Sequence, residues 1–98
     1  MHDLNNKQIS KLKSMGQLLE PVIRVGHAGL SDAFIASLNQ ALADHELVKV
    51  KFSDFKEQKK ELAPQMAERT HSHLVMRVGN VAVLYRPPSD PAKRKIEF

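Results

Sequence analysis

The 98-residue sequence has no cysteine and no tryptophan, and only four Phe and one Tyr supply aromatic rings. Without thiols, disulfides, thiolate zinc sites and cysteine nucleophiles are excluded, and a reducing compartment is allowed. With so few rings the core must be mostly aliphatic. No apolar run approaches the roughly 20 residues needed to cross a bilayer. The opening residues, Met1 to Asn6, lack the apolar stretch of a secretory signal, so a cytoplasmic location without membrane association is expected. A chain of this length can bury one core but not two.

Charge is present in excess of one sign. Fifteen Lys and Arg stand against eleven Asp and Glu, a formal net charge of +4. That balance favours a polyanionic partner, nucleic acid ahead of a membrane surface, although many small basic proteins bind neither.

Hydrophobic spacing predicts the elements. Asn5 or Asn6 can cap a first helix that places Ile9, Leu12, Met15 and Leu19 on one side. Lys7, Lys11 and Lys13 flank the other side, and Gly16 is a plausible stop signal. Val22 to Val25 form a short β-branched run after Pro21. Ser31 suits the cap of a second helix whose stripe is Leu30, Phe34, Leu38, Ala41 and Leu42, with Ile35 at its edge. In Leu47 to Phe52, Val48, Val50 and Phe52 alternate with Leu47, Lys49 and Lys51, the pattern of a strand with one apolar face.

Ser53 or Asp54 can cap a third helix with Phe55, Leu62, Ala63, Met66 and Ala67 on its inner side. Pro64 within it costs about 3 kcal/mol in a helix interior and predicts a kink or a looser first half. Two strands around Gly79-Asn80 make a hairpin. The order αβαβαββ implies an α/β fold with a four-stranded mixed sheet and three helices. Residues 1–87 read as one domain, and 88–98, with Pro88, Pro91 and the cluster Lys93, Arg94 and Lys95, as a mostly flexible basic tail. Such a tail adds a non-specific hold on phosphate or simply solubilises the terminus.

Between the first strand and the second helix lies Arg24-Val25-Gly26-His27-Ala28-Gly29-Leu30-Ser31, which holds two of the four glycines. Glycine permits close approach to the main chain, and a helix start favours an anion. Gly26 to Gly29 could thus cradle a sugar-phosphate backbone, as the Gly-x-x-Gly loop of the KH module does. Glycine turns also join strands to helices with no ligand, so the pair alone does not decide. A dinucleotide fingerprint and a Walker loop are both excluded, since neither the third glycine nor a Gly-Lys-Ser/Thr follows.

Three stretches together are more specific: "PVIRVGHAGLSDAF", "ALADHELVKVKF" and "LAPQMAERTHSHLVMRVGNVAVLYRP". In these the chain resembles the CRM domain (chloroplast RNA splicing and ribosome maturation), in particular its stand-alone bacterial YhbY-like form, from the first helix to about Pro87. The resemblance implies a fold similar to the C-terminal domain of translation initiation factor three. It also implies RNA binding through the Gly-x-x-Gly loop and nearby basic surface, and association with precursors of the large ribosomal subunit in ribosome maturation. The family loop falls on Gly26, His27, Ala28 and Gly29, followed by Leu30 and Ser31. The Leu-Tyr-Arg-Pro ending of the last strand falls on Leu84, Tyr85, Arg86 and Pro87. Departures are His27 and Ala28 where relatives often carry Lys or Asn, His71-Ser72-His73 in place of a glycine turn, and Pro64.

The candidate RNA-binding residues are therefore Arg24, Gly26, His27, Ala28, Gly29 and Ser31, with Lys7, Lys11 and Lys13 as a positive helix face. The lysines equally suit a solvated face. Lys49, Lys51, Arg77 and Arg86 are weaker candidates, and Tyr85 suits sheet packing better than base stacking. His71 and His73 lack a third metal ligand. No nucleophile elbow or other catalytic constellation is present, so a non-enzyme without cofactor or metal, acting as a monomer on ribosomal RNA or large-subunit precursor particles, is expected. The alternative is an adaptor that docks on a ribosomal protein or assembly factor. Gly29→Asp is expected to weaken RNA binding with little loss of stability.

Overall fold

Alternation along one strand sets the two faces of this molecule. The computed structural model describes residues 4–98. In it the elements run α1 (Asn6–Leu18), β1 (Ile23–Val25), α2 (Asp32–His45), β2 (Leu47–Phe52), α3 (Lys59–Thr70), β3 (His73–Val78) and β4 (Val81–Tyr85), followed by a 3-10 turn at Pro91–Lys93. The strands form one sheet in the order β1-β2-β4-β3, with β1 parallel to β2 and the other neighbours antiparallel. This is the expected α/β arrangement of three helices and a four-stranded mixed sheet.

Val48, Val50 and Phe52 of β2 face the larger core, with Val25, Leu38, Leu42, Ala63, Met66, Ala82 and Leu84. The helices α2 and α3 cover that side. Leu47 faces the opposite side and joins Leu12, Val75, Val83, Tyr85 and Ile96 in a second cluster under α1. The sheet is thus the middle of three layers.

Local chemistry accounts for most element boundaries. Asn5 caps α1 in a reciprocal pair with Gln8: the Gln8 N–H donates to Asn5 Oδ1 at 2.8 Å and the Asn5 N–H to Gln8 Oε1 at 3.0 Å. Ser31 Oγ accepts from the Phe34 N–H at 3.1 Å to open α2. Gly79 takes φ +56°, the left-handed conformation a two-residue hairpin turn demands.

Two expectations are corrected. Gly16 does not stop α1; it lies within the helix, buried, where an added Cβ would sit 2.9 Å from Val83 Cγ1. Its role is close packing of helix on sheet. Neither Ser53 nor Asp54 caps α3, which begins only at Lys59, with Gln58 at its cap position and no side-chain cap bond. The preceding residues form a turn instead, with Phe55 at φ +54° and its N–H donating to Asp54 Oδ1 at 2.8 Å. Pro64 lies inside α3, six residues beyond its cap position. Within the stretch 88–98, expected as a mostly flexible tail, Ile96 and Phe98 lie on the α1 side of the sheet. Ile96 is 6% exposed within the second cluster, and the Phe98 ring meets Tyr85 edge-on at 6.0 Å. An isolated Ile and Phe at a chain end carry no periodic signal, so the site that receives them is invisible in the sequence.

Candidate nucleic-acid interface

The loop between β1 and α2 is rooted where Val25 ends the edge strand. The Val25 carbonyl accepts from the N–H groups of Ser53, at 3.1 Å, and Asp54, at 3.0 Å, which ties the loop's base to the turn after β2. The Gly29 N–H donates to the Gly26 carbonyl at 3.0 Å and closes a tight turn. Gly26, His27 and Ala28 are exposed, whereas Gly29 is buried.

The two glycines are there for different reasons. Gly29 takes φ +64°, and a Cβ on it would lie 3.4 Å from Phe55 Cε2. Internal structure demands glycine at that position. Gly26 has no positive φ, and nothing lies within 4 Å of where its Cβ would point. The fold itself makes no demand for glycine there.

Not all of the loop's amides are free to meet a ligand. Gly29 spends its N–H inside the turn, and Ser31 caps the helix with its hydroxyl. Among the described residues, the amides of His27 and Ala28 meet no acceptor. An acidic group also stands nearby: Asp32, in the first turn of α2, lies 3.4 Å from the Arg69 guanidinium. Arg69 also donates to the Leu30 carbonyl at 2.8 Å, so it braces the loop's exit while offsetting the carboxylate. No sequence pattern linked Arg69 to the loop, 39 residues away along the chain.

The candidate cations divide between the two ends of the sheet. Arg24 pairs in register with Lys51, beside the loop. Lys7, Lys11 and Lys13 are exposed on α1. The Lys11 ammonium donates to the Glu97 carbonyl and lies 6.0 Å from the Phe98 ring centre, and Lys7 and Lys11 line a shallow groove with Phe98. Phe98 rests on Tyr85, in the row Leu47–Tyr85–His73 at the end of the sheet away from the loop. The expected site therefore separates into a loop with Arg24, and an α1 face shared with the tail.

Two family-motif residues work inside the molecule. The Arg86 guanidinium donates to Asn39 Oδ1 at 2.8 Å, the Asn39 carbonyl at 3.0 Å and the Thr70 carbonyl at 2.9 Å, stapling α2 to the end of α3. Burial draws its pKa down from the usual value. Tyr85 is buried, and its hydroxyl has no hydrogen-bond partner among the described residues. Burial pushes that hydroxyl's pKa up, the nearby Arg94 charge opposing and Glu46 reinforcing. His71 caps α3 at φ +52°, and His73 stacks on Tyr85 at 6.2 Å. Among the described residues no group of three or more His, Asp or Glu is placed to hold a metal ion.

With this geometry in place, residues 4–86 match one family description, CRS1 / YhbY (CRM) domain. The chain belongs to the CRM family. A protein of Pseudomonas aeruginosa described as a probable RNA-binding protein is 35% identical over 91 residues, 92% of this chain and 88% of that one. An RNA-binding protein of Haemophilus influenzae is 37% identical over 94 residues, 95% of this chain and 94% of the other. The solution structure of a hypothetical protein from Staphylococcus aureus, proposed to bind RNA, superposes with a TM-score of 0.80 at 32% identity. That likeness covers 98% of this CRM chain and 99% of its counterpart.

Proposed function

We propose that this CRM protein binds RNA at the Gly26–Gly29 loop and acts, without catalysis, in maturation of the large ribosomal subunit in the cytoplasm. The observation that carries the reading is Gly26. It is an exposed glycine that the fold does not require, next to amides of His27 and Ala28 that lack internal acceptors. A ligand that comes against the main chain supplies the missing reason. The relatives described as RNA-binding proteins support RNA as that ligand, and Arg24 beside the loop, in no ion pair among the described residues, supports attraction to phosphate. Loop geometry fixes where one stretch of backbone rests, while shape and single-strandedness set selectivity.

Gly26→Asp tests this directly, because it adds a carboxylate and a side chain without disturbing internal contacts. Binding to large-subunit ribosomal RNA fragments should fall by about tenfold or more, the effect of losing one or two charge-assisted contacts. The melting temperature should hold. Unchanged affinity would remove the loop from the interface. Co-sedimentation of the tagged protein with large-subunit precursors tests the cellular role, and retention after RNase treatment would favour a protein-docking adaptor.

A further inference from the structure

One row of residues crosses the whole sheet at the end where the loop emerges. Arg24 of β1 stands opposite Lys51 of β2, Lys51 opposite Val81 of β4, and Val81 opposite Val78 of β3. Ile23 and Val25 belong to the core under α2 and α3, as do Val50 and Phe52. Strand alternation therefore turns Arg24 and Lys51 to the other face, the one that carries α1. In register, Val81 and Val78 share it.

On this face Gly16 of α1 packs on Val83 and Met76, the next pair along the hairpin from the row. Arg24 is exposed, Lys51 and Val81 are half-buried, and Val78 is 60% exposed, unusual for a valine on a sheet face. Neither cation is in an ion pair among the described residues, where the one ion pair is Arg69–Asp32. Glu20 lies farther up the same side, beside Lys49 in the groove under Leu19, and pairs with neither.

We infer that this row, Arg24–Lys51–Val81–Val78, is a second contact surface for single-stranded RNA, continuous with the loop. The inference rests on the loop reading and extends it: the polynucleotide passes from the Gly26 turn onto the open sheet face. Two cations with no ion pair among the described residues, next to one exposed and one half-buried valine, match a strand that offers phosphates on one side and unstacked bases on the other. A duplex keeps its bases stacked inside and presents the valines with nothing apolar. The row spans three inter-strand gaps, about 14 Å, room for a few nucleotides and no more. Arg24 directly precedes Val25 and the loop, so one strand can meet both without a gap.

The test compares single-stranded oligonucleotides of four and ten bases by fluorescence anisotropy across a salt series. A tetramer is held by the loop, and a decamer reaches the row. For wild type the decamer should bind more tightly and with a steeper salt dependence. Lys51→Gln should lower the decamer's log–log salt slope by about 0.7, the value for one phosphate contact on a single strand. Tetramer affinity should change less than about twofold, the range expected for a screened charge beyond contact distance. Val78→Glu supplies a second, well-tolerated probe, since that position is 60% exposed, and should cost the decamer more than the tetramer. An unchanged decamer-to-tetramer ratio in both variants overturns the inference while leaving the loop intact. If wild type binds neither oligonucleotide, the loop reading falls and the row with it. If RNA binding is untouched but a polyglutamate peptide bound by wild type is released by Lys51→Gln, the row belongs to an acidic polypeptide and the inference fails.

Discussion

At the scale of single residues, identical amino acids carry different obligations. Gly29 is held by a positive φ and by the Phe55 ring, so Gly29→Asp perturbs the fold as well as any ligand. The expectation of little stability loss there is withdrawn: left-handed backbone costs an L-residue about 1–2 kcal/mol. Gly26 carries no such debt, which makes it the cleaner probe. Tyr85 presents the reverse case, a polar group that the fold leaves unserved. Its buried hydroxyl lacks a partner among the described residues, so Tyr85→Phe should be neutral or up to about 1 kcal/mol stabilising. Because burial raises its pKa in the folded state, the neutral form is favoured on folding. That contribution is complete below the unfolded pKa of about 10 and is lost as pH climbs through the folded value. Urea denaturation at pH 8 and pH 10.5 should show a smaller fall in stability for Tyr85→Phe than for wild type. An equal fall would mean the hydroxyl is solvated in the folded protein.

At the scale of elements, what was legible is what neighbours in sequence decide. A first cap at Asn5 or Asn6, the Ser31 cap, the alternation in β2 and the Gly79 turn all act within a few residues and are legible in the sequence, while the choice of Asn5 and its reciprocal bond with Gln8 came from the structure. Gly16 was misread because its reason lies across the interface, in Val83 and Met76, more than sixty positions away in one case. Helix propensity favours alanine over glycine by about 0.8–1.0 kcal/mol. Overpacking a stiff, fully buried valine costs about 1–3 kcal/mol. Packing should win, so Gly16→Ala is expected to be destabilising by about 1 kcal/mol net, measured by the urea midpoint. A gain in stability would show that α1 slides freely over the sheet. The start of α3 was misplaced for a related reason. Asp54 spends its carboxylate on the next residue's N–H in a left-handed turn that also supports Gly29, a role set by the loop it faces.

At the scale of the whole molecule, the chain end closes a core that the first 87 residues leave open. The Lys95 N–H donates to the buried Glu46 carboxylate, the Lys95 ammonium donates to the Asp44 carbonyl at 2.8 Å, and Ile96 fills the space beside Leu12 and Leu47. Truncation after Lys93 should therefore lower stability by about 2 kcal/mol, the worth of burying one large aliphatic side chain. Since the tail lies at the opposite end of the sheet from the loop, tetramer RNA affinity should persist below the melting transition. Truncation with no change in the urea midpoint would mean the tail is not docked in solution.

The sequence alone determined the element order, the caps of the first two helices, the hairpin glycine and which face of β2 is apolar, because each of these follows from interactions between residues a few positions apart. Only the tertiary structure decided that Arg24 meets Lys51, that Arg69 braces the loop, that Lys7 and Lys11 stand away from it, and that Ile96 is buried. Those are meetings between distant parts of the chain. Strand order and register choose them, and both are settled by which packing of the two sheet faces excludes the most water.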